Sequence, residues 1–285
     1  MRVQRARWNP GQACRIEFYM LVLALDTTTR QGSIALAREG AIIGMYAGDA
    51  NTTHGERLPG DLVRLLDAHA LRVADVDVFA VASGPGSFTG LRIGIATMQG
   101  LALANGKSLV GISALDALND VALRSQPSAL SPEPSHSPQP SAFGPDSEVC
   151  TWMDAQRGQV FSAIYSGRIV LESAMVEKPA DILRRWQPEG SRPHVFIGDG
   201  ALMYRDLIHQ AEPNALIIDP VGPLAPAIAR LAAAYIELHG AASPDAIRPI
   251  YIRRSDAELA RDRKGQKADP KRRPDLKVGS TTADE

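Results

Sequence analysis

Three strand-like runs in a meander, followed by alternating helix and strand, occur twice along this chain, and that repetition limits the folds open to it more than any single motif does. In the first half the strand-like runs cover 21–26, 33–38 and 41–47, with Gly32 and Arg38-Glu39-Gly40 supplying the turns. A helix is predicted from about Glu56 to Ala70, because Leu58, Leu62, Leu65, Leu66 and His69 fall at helical spacing on one face. Pro59 is tolerable there as a residue of the first turn. A short strand follows at 78–81, then a glycine-rich turn, a helix over 88–105 stopped by Gly106, and a strand at 108–112. The second half reads the same way: strands near 149–153, 159–165 and 168–172, helices near 179–186, 201–210 and 224–239, and strands near 194–197 and 215–218 between them. A duplicated α/β unit of this kind predicts two lobes facing a cleft.

The chain divides into five segments. Residues 1–19, with four Arg, form an N-terminal extension; Met20 directly opens the first strand and is expected to be the natural start. Residues 20–124 and 149–254 are the two α/β lobes. Between them, 125–148 holds six Pro and seven Ser in 24 positions, a composition that cannot build a ladder or a core and reads as a linker or insertion. Residues 255–285 form a charged flexible tail whose basic stretch, Lys271-Arg272-Arg273, is diluted by acidic neighbours. The formal net charge of −1 gives no global field toward nucleic acid, so any RNA contact must be local or made by a partner. Two distant cysteines, Cys14 and Cys150, fit a reducing compartment and no disulfide framework. No run approaches the 18 or more apolar residues of a membrane span, so the expected location is the cytoplasm.

The strongest local signal is Ser83-Gly84-Pro85-Gly86-Ser87-Phe88-Thr89-Gly90-Leu91-Arg92-Ile93-Gly94, which joins a strand to a helix. Gly84 and Gly86 permit a tight turn, Ser87 can cap the helix, and such an N-terminus favours anions. It is not a Walker-type loop, since no Lys is placed to neutralise phosphate. From Phe88 to Ala104 the helix carries Arg92 alone as a charge, with Ile93, Ala96, Gly100 and Leu103 on one side and Leu91, Ile95, Met98 and Ala102 on another. A helix apolar nearly all round needs cover on more than one face, and Gly90 and Gly94 are expected to admit a second helix. Asp26-Thr27-Thr28-Thr29, with Ser33 on the next strand, and Asp154-Ala155-Gln156-Arg157-Gly158 are two acidic hairpins that would resemble an ATP site across a cleft, although Asp, Thr and Gly are equally ordinary turn residues. None of the six histidines forms a pair four residues apart, and neither a Cys-x-x-Cys nor a Gly-x-Ser-x-Gly motif occurs, so no metal centre or hydrolase elbow is expected.

Taken together, Leu21 to Thr29, the segment Ser83 to Gly94 continuing through Gln99-Gly100-Leu101-Ala102 to Val110–Leu115, Asp154 to Phe161, and Pro249-Ile250-Tyr251-Ile252-Arg253 resemble the TsaB (YeaZ) family over roughly residues 20–256. Gln156 and Gln159 depart from that family's commoner Arg or Met and Glu. The resemblance implies an actin-like, ribonuclease H-like fold in two lobes. It implies a non-catalytic partner of the catalytic subunit TsaD in threonylcarbamoyl transfer to the adenosine beside the anticodon of tRNAs reading codons that begin with A. Also implied are an ATPase partner TsaE, tRNA met through the complex, no membrane, and no intrinsic cofactor, with ATP or ADP only in the complex; a self-associating scaffold, a homodimer through the same apolar helices, is a rival reading. Ala114 and Leu118 stand where the catalytic relative carries its metal-binding histidines. The expected partner contacts are Leu58, Leu62, Leu65, Leu91, Ile95 and Met98; Asp26, Thr27, Gly84, Gly86, Ser87 and Asp154 are the candidates for a vestigial phosphate loop. Competing readings are an ATP-dependent phosphotransferase built on Asp26 and Asp154, and a metalloprotease-like relative.

Overall fold

The computed structural model describes residues 20–125, 147–186, 195–219 and 222–253. The extension 1–19, residues 126–146 of the Ser/Pro segment and the tail 255–285 with its basic stretch lie outside the described residues.

Two five-stranded sheets organise the molecule. The first contains β1 (Leu21–Asp26), β2 (Ser33–Arg38), β3 (Ala41–Ala47), β4 (Val78–Gly84) and β5 (Ser108–Ser113) in the order β3-β2-β1-β4-β5. β1 to β3 form an antiparallel meander, and β4 and β5 run parallel to β1. The second sheet repeats the plan with β6 (Glu148–Asp154), β7 (Val160–Ser166), β8 (Ile169–Glu177), β9 (Val195–Ile197) and β10 (Leu216–Ile217), ordered β10-β9-β6-β7-β8. This twice-used 3-2-1-4-5 order is the duplicated α/β plan in two lobes that the repeated element pattern predicts. The central strands β1 and β4 are buried on both faces, as sheets covered by helices on either side must be.

Among the described residues, seven α-helices cover the sheets. α1 (His54–Ala68) and α2 (Phe88–Ala104) pack on one face of the first sheet against Leu21, Leu23, Leu25, Leu36, Phe79 and Val81. α4 (Pro179–Trp186), α5 (Asp199–Met203) and α6 (Arg205–Ala211) cover the outer face of the second sheet. The remaining two helices cross over. α3 (Ala114–Arg124), although it follows the first sheet in sequence, lies on β6, β7 and β9. α7 (Ala225–His239), from the second half, lies on β1, β2, β4 and β5. One continuous core therefore runs from the first sheet through α7 and α3 to the second sheet. The sheet face toward α7 is lined by Ala24, Ala35, Ala37, Ala80 and Ala82, and α7 offers Ala225, Ala229, Ala232 and Ala233. Small side chains on both sides let helix and sheet approach closely, which makes the exchange compatible with dense packing.

Several local expectations change. α1 starts at His54, two residues before the predicted start, with Thr53 donating its Oγ1 and its amide to Glu56 Oε2 at 2.6 and 3.2 Å. Pro59 therefore sits in the second turn, on an exposed side where the Gly55 carbonyl that loses its donor can bond water. The predicted helix over 201–210 is two short helices broken at Tyr204. α3 was not expected at all; its sequence signal is Ser113, whose Oγ accepts from the Asp116 amide at 3.4 Å, ahead of Leu115 and Leu118.

Candidate functional site

The end of β1 turns sharply back into β2, and Asp26 holds that turn. Its Oδ1 accepts from the Thr28 amide at 2.8 Å and the Thr28 hydroxyl at 2.5 Å, while Oδ2 accepts from the Thr29 hydroxyl at 2.6 Å. The carboxylate is 1% exposed and is committed to its own turn. Thr27 donates its Oγ1 to the Gly90 carbonyl at 2.7 Å. A Cβ at Gly90 would lie 2.0 Å from the Thr27 carbonyl oxygen, one at Gly94 2.2 Å from Thr27 Oγ1, and one at Gly86 2.4 Å from Thr28 Cβ. Gly90 and Gly94 thus admit the β1–β2 turn, not a second helix, which corrects the expectation drawn from their spacing.

Around this contact the glycine loop is largely satisfied by the protein itself. The Ser87 amide donates to the Thr28 carbonyl at 3.2 Å, and Ser87 Oγ accepts from the Gly90 amide at 3.2 Å, capping α2 as expected. Gly84, at φ +124, has its Cα against the Ile250 carbonyl, and the Ile250 amide donates to the Ser83 carbonyl at 2.7 Å. On the second lobe, Asp154 accepts from the Gln156 amide at 2.8 Å and from Gln156 Nε2 at 2.5 Å. Its own amide donates to Asp199 Oδ1 at 2.9 Å. Crowding by the cleft walls pushes the Asp199 carboxyl above the usual range and the nearby Asp154 adds to this, against the lowering effect of the amide bonds it accepts.

Between the lobes lies a cleft of about 1380 Å³, lined by Thr28 to Arg30, Pro85 to Ile93, Met153 to Arg157 and Ile250 to Arg253. Of the six phosphate-loop candidates, Gly86, Ser87 and Asp154 reach this cleft; Asp26, Thr27 and Gly84 stand behind its wall. Among the described residues no group of three or more His, Cys, Asp or Glu is arranged to hold a metal ion.

The sequence reading missed a strap, residues 244–253, that ties the lobes together along the cleft. Gln99 Nε2 donates to the carbonyls of Pro244 and Ile247 at 2.9 and 3.1 Å. Tyr251 stacks on Phe88 with centroids 4.8 Å apart, and its hydroxyl accepts from Arg92 Nε at 3.1 Å. Arg253 then reaches the other lobe, donating to the Ala155 carbonyl at 2.5 Å and to Gln159 Oε1. The polar glutamine at 99 and the arginine at 253 were visible in the sequence, but their partners lie about a hundred residues or more away.

The second candidate surface is the outer face of α1 and α2. Leu58, Leu62, Leu65, Leu91, Ile95 and Met98, expected to meet a partner, are between 0% and 7% exposed and belong to the chain's own core. That expectation is corrected, because Leu58, Leu62, Leu65, Ile95 and Met98 pack in one core with the first sheet and Leu91 is 1% exposed. The same helices present Pro59, Gly60 and Val63, and Ala96, Gly100 and Leu103, to solvent, with Val63 57% and Leu103 53% exposed. At the start of α1, His54 Nε2 faces the Thr29 carbonyl at 3.1 Å and Arg57 Nη2 lies 2.8 Å from its Nδ1. Burial and then the Arg57 charge push its pKa below the ordinary value.

Comparison with known proteins gives consistent matches. The family model described as "TsaD: tRNA N6-adenosine threonylcarbamoyltransferase" matches residues 36–260. The tRNA threonylcarbamoyladenosine biosynthesis protein TsaB of Bacillus subtilis is 27% identical over 84% of this chain and 96% of its own length. The solved structure of YeaZ from Pseudomonas aeruginosa superposes with a TM-score of 0.63 at 25% identity, covering 81% of this chain and 99% of that one. The tRNA N6-adenosine threonylcarbamoyltransferase of Lawsonia intracellularis is 34% identical, but over only 34% of this chain and 32% of that protein.

Proposed function

Since the chain belongs to the TsaB (YeaZ) family of tRNA threonylcarbamoyladenosine biosynthesis, we propose that it acts there as the non-catalytic partner of a TsaD-like transferase. The observation that carries this reading is α3. Ala114 and Leu118, where the family resemblance puts the metal-binding histidines of the catalytic subunit, are 0% and 2% exposed. An alanine and a leucine offer no lone pair to a metal, and their burial in the inter-sheet core leaves no room for one. The Asp26 carboxylate, fully engaged by Thr28 and Thr29, is not free to orient a nucleotide phosphate or its magnesium, which weighs against the phosphotransferase reading.

The partner surface is the outward ridge of Val63, Ala96, Gly100 and Leu103. Each of these residues is exposed, and small and apolar side chains on the outer side of both helices would let a helix pair from a related lobe approach closely. The chain carries no nucleotide of its own; ATP turnover belongs to a TsaE-like ATPase in the assembled complex, and the same ridge supports self-association when the partner is absent. A second reading, that the chain itself transfers threonylcarbamoyl, has the description of the matching family model in its favour. One assay separates the two: threonylcarbamoyl transfer to unmodified tRNA with TsaD, TsaE and the adenylate supply, with and without this protein. Product that requires both this chain and TsaD supports the partner reading. Product formed without TsaD overturns it in favour of the second reading, and product formed without this chain overturns both.

A further inference from the structure

Asp120, on the last turns of α3, is 1% exposed and is surrounded by three guanidinium groups. Arg230 of α7 donates to its Oδ2 through Nε at 3.0 Å and Nη2 at 2.7 Å, and is itself mostly buried. That pair alone neutralises the carboxylate and joins α7 to α3. Arg124 Nε, at 3.2 Å, and Arg168 Nη2, at 2.9 Å, add two further charges to the same carboxylate. Their side chains are 55% and 61% exposed. Arg230 already neutralises the buried carboxylate, and the half-exposed ends of the other two arginines are screened by water, so stability gives less reason for them than for Arg230. Among the described residues, Glu148, which pairs with Ser166 just before the β7–β8 turn, and Asp116, one turn before Asp120 and bonded to the Tyr165 hydroxyl, are further carboxylates on the neighbouring elements.

We propose that Arg124 and Arg168 form a phosphate contact for the RNA backbone, an inference that rests on the tRNA-modification reading above. Each guanidinium spends one of its nitrogens on Asp120, which fixes its plane and leaves the rest of its donor fork for an incoming anion. Sharing one carboxylate holds the two groups within roughly 8 Å, the span of two hydrogen bonds and a carboxylate, so one phosphate or two successive ones can engage both. Neither residue lines the inter-lobe cleft; they stand on an open corner. An open corner holds a small anion poorly, whereas a polyanion gains affinity there through counterion release. The chain's net charge of −1 means that such a contact must be local, as this one is.

The test uses the full chain assembled with the TsaD-like partner and TsaE, and unmodified tRNA titrated at several salt concentrations. R124A/R168A is compared with wild type and with R184A/R205A, which removes the same charge from two exposed, acid-paired sites on the same half of the chain. The expected result is a slope of log affinity against log salt shallower by about 2 for R124A/R168A, and no change for R184A/R205A. Asp120 keeps Arg230 in that variant, and an unchanged melting temperature confirms that the fold persists. Equal slopes for R124A/R168A and wild type, equal losses in both double variants, displacement of tRNA by an equal concentration of inorganic phosphate, or no tRNA binding by the wild-type assembly each overturn the site. Transfer activity scored in the same samples separates this from the functional reading: activity that depends on the chain while the slopes are equal removes only the phosphate site, and activity indifferent to the chain removes the reading beneath it.

Discussion

Changing Val63 to Asp is expected to abolish tight pairing with the catalytic partner while leaving this chain folded, and changing its neighbour Leu62 to Asp is expected to do the opposite. The two residues are adjacent on α1 but face different environments: Leu62 is 7% exposed in the core beneath the helix, and Val63 is 57% exposed on its outer side. Full burial of a valine is worth about 1.5–3 kcal/mol, so the half that is still exposed puts about 1 kcal/mol at stake in the interface. An unpaired carboxylate forced under a partner adds its desolvation, for a total on the order of 2–4 kcal/mol, or roughly 30- to 700-fold in affinity. Leu62→Asp instead loses a packed leucine and buries a charge in the chain's own core, on the order of 3–5 kcal/mol out of a total stability of about 5–15 kcal/mol. For a fold of this size that lowers the melting temperature by on the order of 10 °C. Calorimetric titration with the partner, beside thermal melts of the isolated chain, reads both effects. A Val63→Asp variant that pairs with wild-type affinity, or a Leu62→Asp variant that melts with the wild type, would refute the assignment of faces.

Other perturbations probe the rest of the molecule. Gly90→Ala is expected to cost at least about 2 kcal/mol, a size typical of overpacking, because its Cβ would sit 2.0 Å from the Thr27 carbonyl oxygen, and melts check it; Gly100→Ala, with nothing near its Cβ, is the neutral control. Arg253→Ala removes the strap's bonds to Ala155 and Gln159, so faster amide exchange is expected across 154–159 while β4 and β5 stay protected. The pKa of His54 is lowered on folding, so the unfolded chain binds its proton first. The stability this contributes is full above the unfolded value near 6.5 and is lost as pH falls through the folded value. The difference in melting temperature between wild type and His54→Gln should therefore shrink between pH 8 and pH 5.5, and a constant difference would sink the assignment.

How far the sequence could be read depended on how local each cause was. The positions of the strands along the chain came from turns and periodicity, which are written within a few residues: Gly32, Gly40 and Gly106 all adopt positive φ at the turns or stops expected of them. The Ser87 cap and the buried set Leu91, Ile95, Met98 and Ala102 were also legible, because a helix face is fixed by spacing. What spacing does not fix is which face meets the chain's own sheet. α2 is apolar nearly all round, so the buried and the exposed stripes looked alike, and the larger side chains were assigned to the partner when the sheet had already taken them. The crossover of α3 and α7, the strap and the Asp120 cluster share another cause. Each rests on pairings of residues from 48 up to 192 positions apart, and no short-range pattern encodes such a pairing.

Those same long-range contacts bear on what the cleft can do. In a two-lobed machine that closes on a ligand, the lobes must be free to move against each other. Here the halves exchange helices, the buried Ala225 amide donates to Ser33 Oγ at 3.1 Å from one half to the other, and Arg230 reaches across to Asp120. On the cleft side, the strap from Gln99 to Arg253 bridges the lobes again. The Ala225–Ser33 bond fixes α7 to the first sheet, so the links that a closure motion would strain are the buried Asp120–Arg230 pair between α7 and α3 and the strap on the cleft side. Cross-links of this kind fit the partner role proposed above, in which this chain would hold a neighbouring lobe in one conformation through the outer face of α1 and α2.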